Sequence, residues 1–280
     1  MARSHPSIVY APGEVPSLPD STMLVALTGW MDGGLVSTGT VRQLMDGKDL
    51  VDIAKVSSGG FYIDNFPGSM EIQAVFRPEV KYEGGLIKSF TMEQNVVSAD
   101  PKSNLVFFVG REPNINWVSF AEALFEIAEK CGVKRMIFIG SFGGSVPHTR
   151  EPRMYGSVSA KSLLPQLKRF GLKPTEYEGS ASFATYLLYL APKRGFEMLS
   201  IAVEIPGYLQ GPNPLSIEAV TRRLAGLLDI EVDLTPLRKA ATDWELEVSE
   251  AVEKDEDLAG RVKKLEEEYD DELVQEQQQG

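Results

Sequence analysis

The chain has 280 residues, 43% of them hydrophobic and 24% charged, which is enough to bury a sizeable core and excludes wholesale disorder. Lys plus Arg number 28 against 40 Asp plus Glu; the formal net charge of −12 repels phosphate backbones and argues against non-specific nucleic-acid binding. A single cysteine, Cys131, cannot form an internal disulfide, and two histidines leave little for a zinc or haem site, so no metal or cofactor is expected.

The N-terminus, Met-Ala-Arg-Ser-His-Pro, lacks the apolar run of a signal peptide. The longest apolar stretch, residues 183–191, is about half of what a bilayer requires. A cytoplasmic protein without a membrane partner is expected. Residues 1–240 hold 25 acids and 24 basic residues, whereas residues 241–280 hold 15 and 4. A near-neutral body, residues 1–235, therefore carries an acidic extension, residues 236–280.

Four short apolar runs, 23–27, 105–109, 136–139 and 199–203, are continuous rather than alternating, as in strands covered on both faces. Helical patterns lie between them. Residues 35–45 follow the first run, 117–131 the second, and 157–170 and 183–190 the third. After the fourth, Asn213-Pro214 supplies a cap and a first-turn proline. Ile217, Val220, Leu224, Leu227 and Leu228 then form one stripe. Residues 51–92 differ: 51–56, 71–76 and 85–90 read as strands joined by Gly, Pro and Asn turns, adding antiparallel strands to the sheet or forming a small lobe. The fold class is α/β, a three-layer α/β/α sandwich on a mixed, mainly parallel sheet.

In the extension, Leu237, Ala241, Trp244, Val248 and Ala251 share one helical face, and Leu258, Val262, Leu265, Tyr269 and Leu273 share another. Lys254-Asp255-Glu256-Asp257 interrupts them, with Asp255 or Asp257 as a cap. The expectation is a helical pair, or one bent helix, whose apolar stripe packs on the body or on another subunit.

Each apolar run ends in a turn, and parallel runs would gather these turns along one sheet edge, where helix N-termini and free N–H groups bind ligands. Trp30, Asp32, Arg111, Ser141, His148, Arg150 and Glu204 would meet there. Every one has a bland alternative. Trp30 is a stacking platform or a core anchor; Asp32 binds or caps the next helix. His148 is an acid/base group or a hydrogen-bonded loop residue. Arg150, Arg153 and the Gly143-Gly144 backbone cradle an anion, or the arginines pair with nearby carboxylates. Glu204 is a general base or an arginine's partner. An enzyme of the nucleoside or phosphate hydrolase/phosphorylase kind would use His148, Asp32 and Glu204, with Arg150 clamping an anion. No phosphate loop, dinucleotide fingerprint or Gly-x-Ser-x-Gly turn is present, and Cys131 reads as a structural thiol.

Gly29-Trp30-Met31-Asp32-Gly33-Gly34, the loop 140–150 ending Pro147-His148-Thr149-Arg150, Glu204-Ile205-Pro206-Gly207-Tyr208 and Gly211-Pro212-Asn213-Pro214 together resemble the proteasome assembly chaperone two family over about residues 20–240. The resemblance implies a phosphorylase/hydrolase-like α/β/α sandwich, homo-oligomers and a non-catalytic role in assembling protein complexes, with proteasome-type subunits as partners. A homotrimer is expected, because related folds close into rings. Chaperones of this family commonly end in hydrophobic-Tyr-any residue; this sequence ends Gln277-Gln278-Gln279-Gly280, so ring docking through that signature is not expected.

Overall fold

The computed structural model describes residues 4–74, 76–92 and 94–279. In chain order its elements are β1 (Ile8–Tyr10), β2 (Ser21–Thr28), α1 (Val36–Met45), β3 (Val51–Val56), α2 (Met70–Ala74), β4 (Glu79–Glu83), β5 (Leu86–Thr91), β6 (Asn95–Asp100) and β7 (Leu105–Arg111). There follow α3 (Trp117–Cys131), β8 (Val133–Gly144), β9 (Met154–Val158), α4 (Leu164–Arg169), β10 (Lys173–Pro174), α5 (Phe183–Leu190), β11 (Glu197–Pro206), α6 (Pro214–Leu228), α7 (Thr235–Glu253) and α8 (Glu256–Gln279).

The principal sheet runs β1-β3-β6-β7-β2-β8-β11-β9-β10. Its centre, β7-β2-β8-β11, is parallel throughout, whereas β6, β3 and β1 are added on one side, each antiparallel to the strand before it, and β9 is antiparallel to β11 on the other. The continuous apolar character of β2 follows from two-sided burial. Met23, Val25 and Leu27 enter one core with Phe108, Phe120, Phe125 and Phe183. Leu24 and Ala26 enter the other with Val41, Leu44, Ile201 and Leu224. α3 and α5 thus cover one face and α1, α4 and α6 the other, each helix burying the stripe that its sequence spacing sets.

The helix ends carry their own chemistry. Asn213 caps α6, its side-chain oxygen accepting from Ser216 N–H at 2.9 Å, with Pro214 in the first turn. Ser182 caps α5 by accepting from Thr185 N–H at 3.2 Å. Asp255 caps α8, accepting from Leu258 N–H at 3.0 Å.

Two elements differ from the sequence expectation. The stretch 71–76 is not a strand: residues 71–74 lie in the one-turn helix α2, where Gln73 donates through its backbone to Ser69 and through its amide to Gly68, and Phe76 follows in a turn. Val75, within that stretch, lies outside the described residues. Residues 157–170 are not one helix either. Ser157 and Val158 complete β9 against β11, and α4 begins only at Leu164. The 51–92 segment takes both forms open to it, with β3 joining the main sheet and β4-β5 making a separate antiparallel hairpin.

Candidate functional site

Because β7, β2, β8 and β11 are parallel, their C-terminal ends share one edge. Close backbone links tie the turns together along it. Ser141 N–H donates to Met31 C=O at 2.8 Å, and its hydroxyl donates to Gly33 C=O at 2.6 Å. Asn213 N–H donates to Gly34 C=O at 2.8 Å. Gly34 has φ +64°, and a Cβ there would come within 2.8 Å of the Asn213 Cβ, so conformation and space both call for glycine.

Asp32, between β2 and α1, is buried. Its Oδ1 accepts from Thr38 N–H at 3.1 Å and its Oδ2 from the Thr38 hydroxyl at 2.8 Å, so it satisfies the first turn of α1. Burial pushes its carboxyl above the usual range, while the bonds from Thr38 pull the other way. Trp30 is 68% exposed, and its backbone N–H donates to Glu112 Oε2 at 3.1 Å. Glu112, which the sequence did not single out, also accepts from Phe183 N–H at 2.7 Å, binding the β2 turn to the N-terminus of α5. Arg111 stacks over Tyr62 at 5.4 Å, and its backbone is held by Asn95 at 3.0 Å and by the Tyr62 hydroxyl at 2.9 Å.

Glu204, on β11, is 5% exposed. Its Oε1 accepts from Ser145 N–H at 2.7 Å, the Ser145 hydroxyl at 3.1 Å and Val146 N–H at 3.1 Å. Its Oε2 accepts from the Tyr155 hydroxyl at 3.3 Å and lies 3.5 Å from Arg153. The carboxylate rests on Gly144, where a Cβ would collide with it. Gly143 passes close to Gly207, and Gly207 N–H donates to Gly144 C=O at 2.9 Å. The β8–β9 loop therefore winds around one anionic acceptor supplied by the neighbouring strand.

His148 lies under α7 and is 1% exposed. Its Nδ1 is 2.7 Å from the Tyr208 hydroxyl and its Nε2 3.1 Å from the Ser249 hydroxyl, with Trp244 edge-on. Burial lowers its pKa, and the nearby Glu266 carboxylate opposes that shift. Arg150 makes a bidentate pair with Asp270 of α8, at 2.8 Å for both bonds. Arg153 pairs with Glu272 at 2.7 Å and stacks 4.5 Å over the Tyr269 ring, whose hydroxyl donates to Glu151 C=O at 2.9 Å. The extension thus packs its stripe on the body, covering the His148–Arg153 loop.

The named residues fall into three adjoining groups rather than one open cleft. Trp30 and Arg111 sit by Glu112 and Tyr62; Asp32 and Ser141 sit at the start of α1; Gly143, Gly144, His148, Arg150 and Glu204 sit beneath α7 and α8. A small groove of about 80 Å³ holds Arg111 with Tyr62 and Gly60. Another, of about 210 Å³, runs beside α8 and is lined by Arg153, Lys173, Arg223, Tyr269 and Leu273 among others. Trp30, Asp32, Ser141, His148, Arg150 and Glu204 line neither. Among the described residues, no three His, Cys, Asp or Glu side chains are grouped to hold a metal ion, and no helix is long and apolar enough to cross a membrane. Tyr155 and Tyr208, which complete the Glu204 and His148 contacts, carried no periodic signal of their own; the place of Tyr269 on the α8 stripe was the one cue to its role.

The PAC2 family model matches residues 26–252, a span that contains the β2 turn, the β8–β9 loop and the β11–α6 connection. The chain belongs to the PAC2 family. α8 lies beyond the matched residues. Among solved structures, a Mycobacterium tuberculosis protein described as a proteasome-assembly chaperone homologue is 26% identical, with a TM-score of 0.73 over 86% of this chain and 99% of that one. A Corynebacterium glutamicum protein of unknown function is 24% identical, with a TM-score of 0.81 over 96% of this chain and 99% of that one. An archaeal proteasome activator from Pyrococcus furiosus is 19% identical, with a TM-score of 0.66 over 87% of this chain and 97% of that one. The latter two likenesses are of fold alone. No curated protein matches the sequence.

Proposed function

We propose that this PAC2 protein is a non-catalytic, cytoplasmic homo-oligomer that promotes or scaffolds the assembly of other proteins, with proteasome-type subunits as the first partners to test. Family membership and the 26% identical chaperone homologue support the class. The observation that carries the non-catalytic part is the commitment of Asp32, His148 and Glu204 to holding the β2 turn and the β8–β9 loop. A general acid or base needs reach to a substrate proton, and these groups spend their reach on the protein itself.

Support for self-association comes from the β4-β5 hairpin. Paired register places Val80 with Phe90 and Tyr82 with Ile87 on one face, and all four are exposed. A two-stranded hairpin with an uncovered apolar face is marginal alone, and exposed apolar patches of this kind mark protein contacts. The test is affinity capture from native lysate on the immobilised full-length protein, with light scattering on the free protein. Recovery of α-type or β-type subunits and a mass of three chains are expected; capture of neither subunit type would remove the assembly reading.

A further inference from the structure

We infer that Arg150 and Arg153 form a docking cradle for an acidic, amphipathic helix of a partner protein, and that α8 is its resident intramolecular occupant. The inference goes beyond the assembly reading, since it specifies the chemistry of a ligand whether or not that ligand is a proteasome subunit.

The first observation is how α8 is held. Asp270 lies one turn after Glu266 and Glu272 one turn after Tyr269, so the acids flank the Tyr269 ring on either side. Glu266 takes the Thr149 hydroxyl, Asp270 takes the Arg150 fork and Glu272 takes Arg153. Tyr269 slides under the Arg153 guanidinium. By contrast, Val262 and Tyr269 are the described α8 residues with buried apolar side chains, and Leu273 and Val274 remain exposed. Leu258 and Leu265 are half-buried beside Val262, so the N-terminal half of α8 rests on its apolar stripe, while charge and the Tyr269 ring seat its C-terminal half on the loop. The Asp270 and Glu272 carboxylates face solvent, so salt screens their pairs with the less exposed arginines.

The second observation is unfilled space of matching character. The groove of about 210 Å³ beside α8 gathers Arg153, Lys173 and Arg223 against Glu272 as its one carboxylate. A chain with a net charge of −12 has here concentrated cations beside a helix that contributes Tyr269, Glu272 and Leu273 to the groove lining. The complement of that surface is an anionic helix with an aromatic residue between its acids, which is what α8 itself presents.

The third observation is the connection. Lys254 and Asp255, both exposed, are the residues between α7 and α8, and Asp255 caps α8 by itself. The helix start is therefore satisfied without help from the body, and α8 can leave as a unit.

The experiment uses the full chain with a neutralised α8, Glu266→Gln with Asp270→Asn and Glu272→Gln. The probe is a fluorescein-labelled synthetic peptide of residues 256–279, followed by anisotropy at low salt. Binding at least about tenfold tighter than to the wild-type chain is expected, as the resident helix no longer competes. Adding Arg150→Glu, or the milder Arg150→Gln should the first variant lose its far-UV circular dichroism, is expected to abolish that gain, as is about 0.5 M salt. Equal binding to wild type and neutralised variant, or a gain that survives the Arg150 substitution, would overturn the inference. So would a drop in oligomer mass on neutralisation, because the cradle would then hold α8 of a second copy.

Discussion

Glu204 Oε1 stands 2.7 Å from the backbone nitrogen of Ser145, so the carboxylate of one central strand organises the loop that leaves its parallel neighbour. Glu204→Gln removes the negative charge from an acceptor of several hydrogen bonds and leaves the buried Arg153 with less compensation. A loss of about 1–3 kcal/mol in urea unfolding is expected, with the fold retained. Unchanged stability would mean that the carboxylate is not what holds the loop.

His148 makes stability depend on pH. Burial keeps its ring neutral and its pKa below the ordinary imidazole value, against the pull of Glu266, with Tyr208, Ser249 and Trp244 around it. As pH falls, the unfolded chain takes the proton first. The stability owed to the neutral ring is fully present above about pH 6.5 and is lost as pH drops from there through the folded-state value. Melting temperatures measured across that window should fall more steeply for the wild-type chain than for His148→Gln.

Salt should loosen α8 before it touches the sheet. The Arg150–Asp270 and Arg153–Glu272 pairs have solvent-facing carboxylates, and the Arg150 guanidinium beside Asp270 holds that acid below its usual range. Amide exchange across residues 256–279 is expected to speed up with added salt, while that of β2 and β8 stays slow. Equal protection of α8 at low and high salt would contradict an electrostatic attachment.

Cys131 ends α3 fully buried, and burial pushes its thiol up to about 11. With so little thiolate, alkylation by iodoacetamide near pH 8 is expected only once the protein is unfolded. Stoichiometric labelling of the native chain, read by mass spectrometry, would contradict this placement.

Exposed apolar residues of the hairpin contribute little to the single chain. Ile87→Glu is expected to change unfolding stability by no more than about 0.5 kcal/mol, whereas Phe107→Ala, in the second core, should cost about 3–5 kcal/mol. Urea midpoints of the two variants separate these cases.

The parallel centre of the sheet was readable because two-sided burial leaves an unbroken apolar run, as in 23–27 and 199–203, and α3 and α5 were readable from their spacing. β9 was not: Met154-Tyr155-Gly156-Ser157-Val158 is short and mixed, and the helical periodicity of 157–170 overran it. α2 was missed because its hydrogen bonds are local and every described side chain in it is at least partly exposed, leaving alternation as a misleading cue. At the strand edge, residue types alone named Glu204, His148 and Arg150 but left their roles open. Which side of each alternative held depended on partners far along the chain, such as Ser249 for His148 and Asp270 for Arg150. Spacing does not encode encounters over more than a hundred residues.

The sealed thiol at the end of α3 has a practical corollary. Since Cys131 is the sole cysteine of the sequence, any cysteine placed on the surface becomes the single handle for a dye or spin label, with the native residue left in place. One such label on α8 and another on the hairpin would turn the motions of both into distances that can be followed in solution.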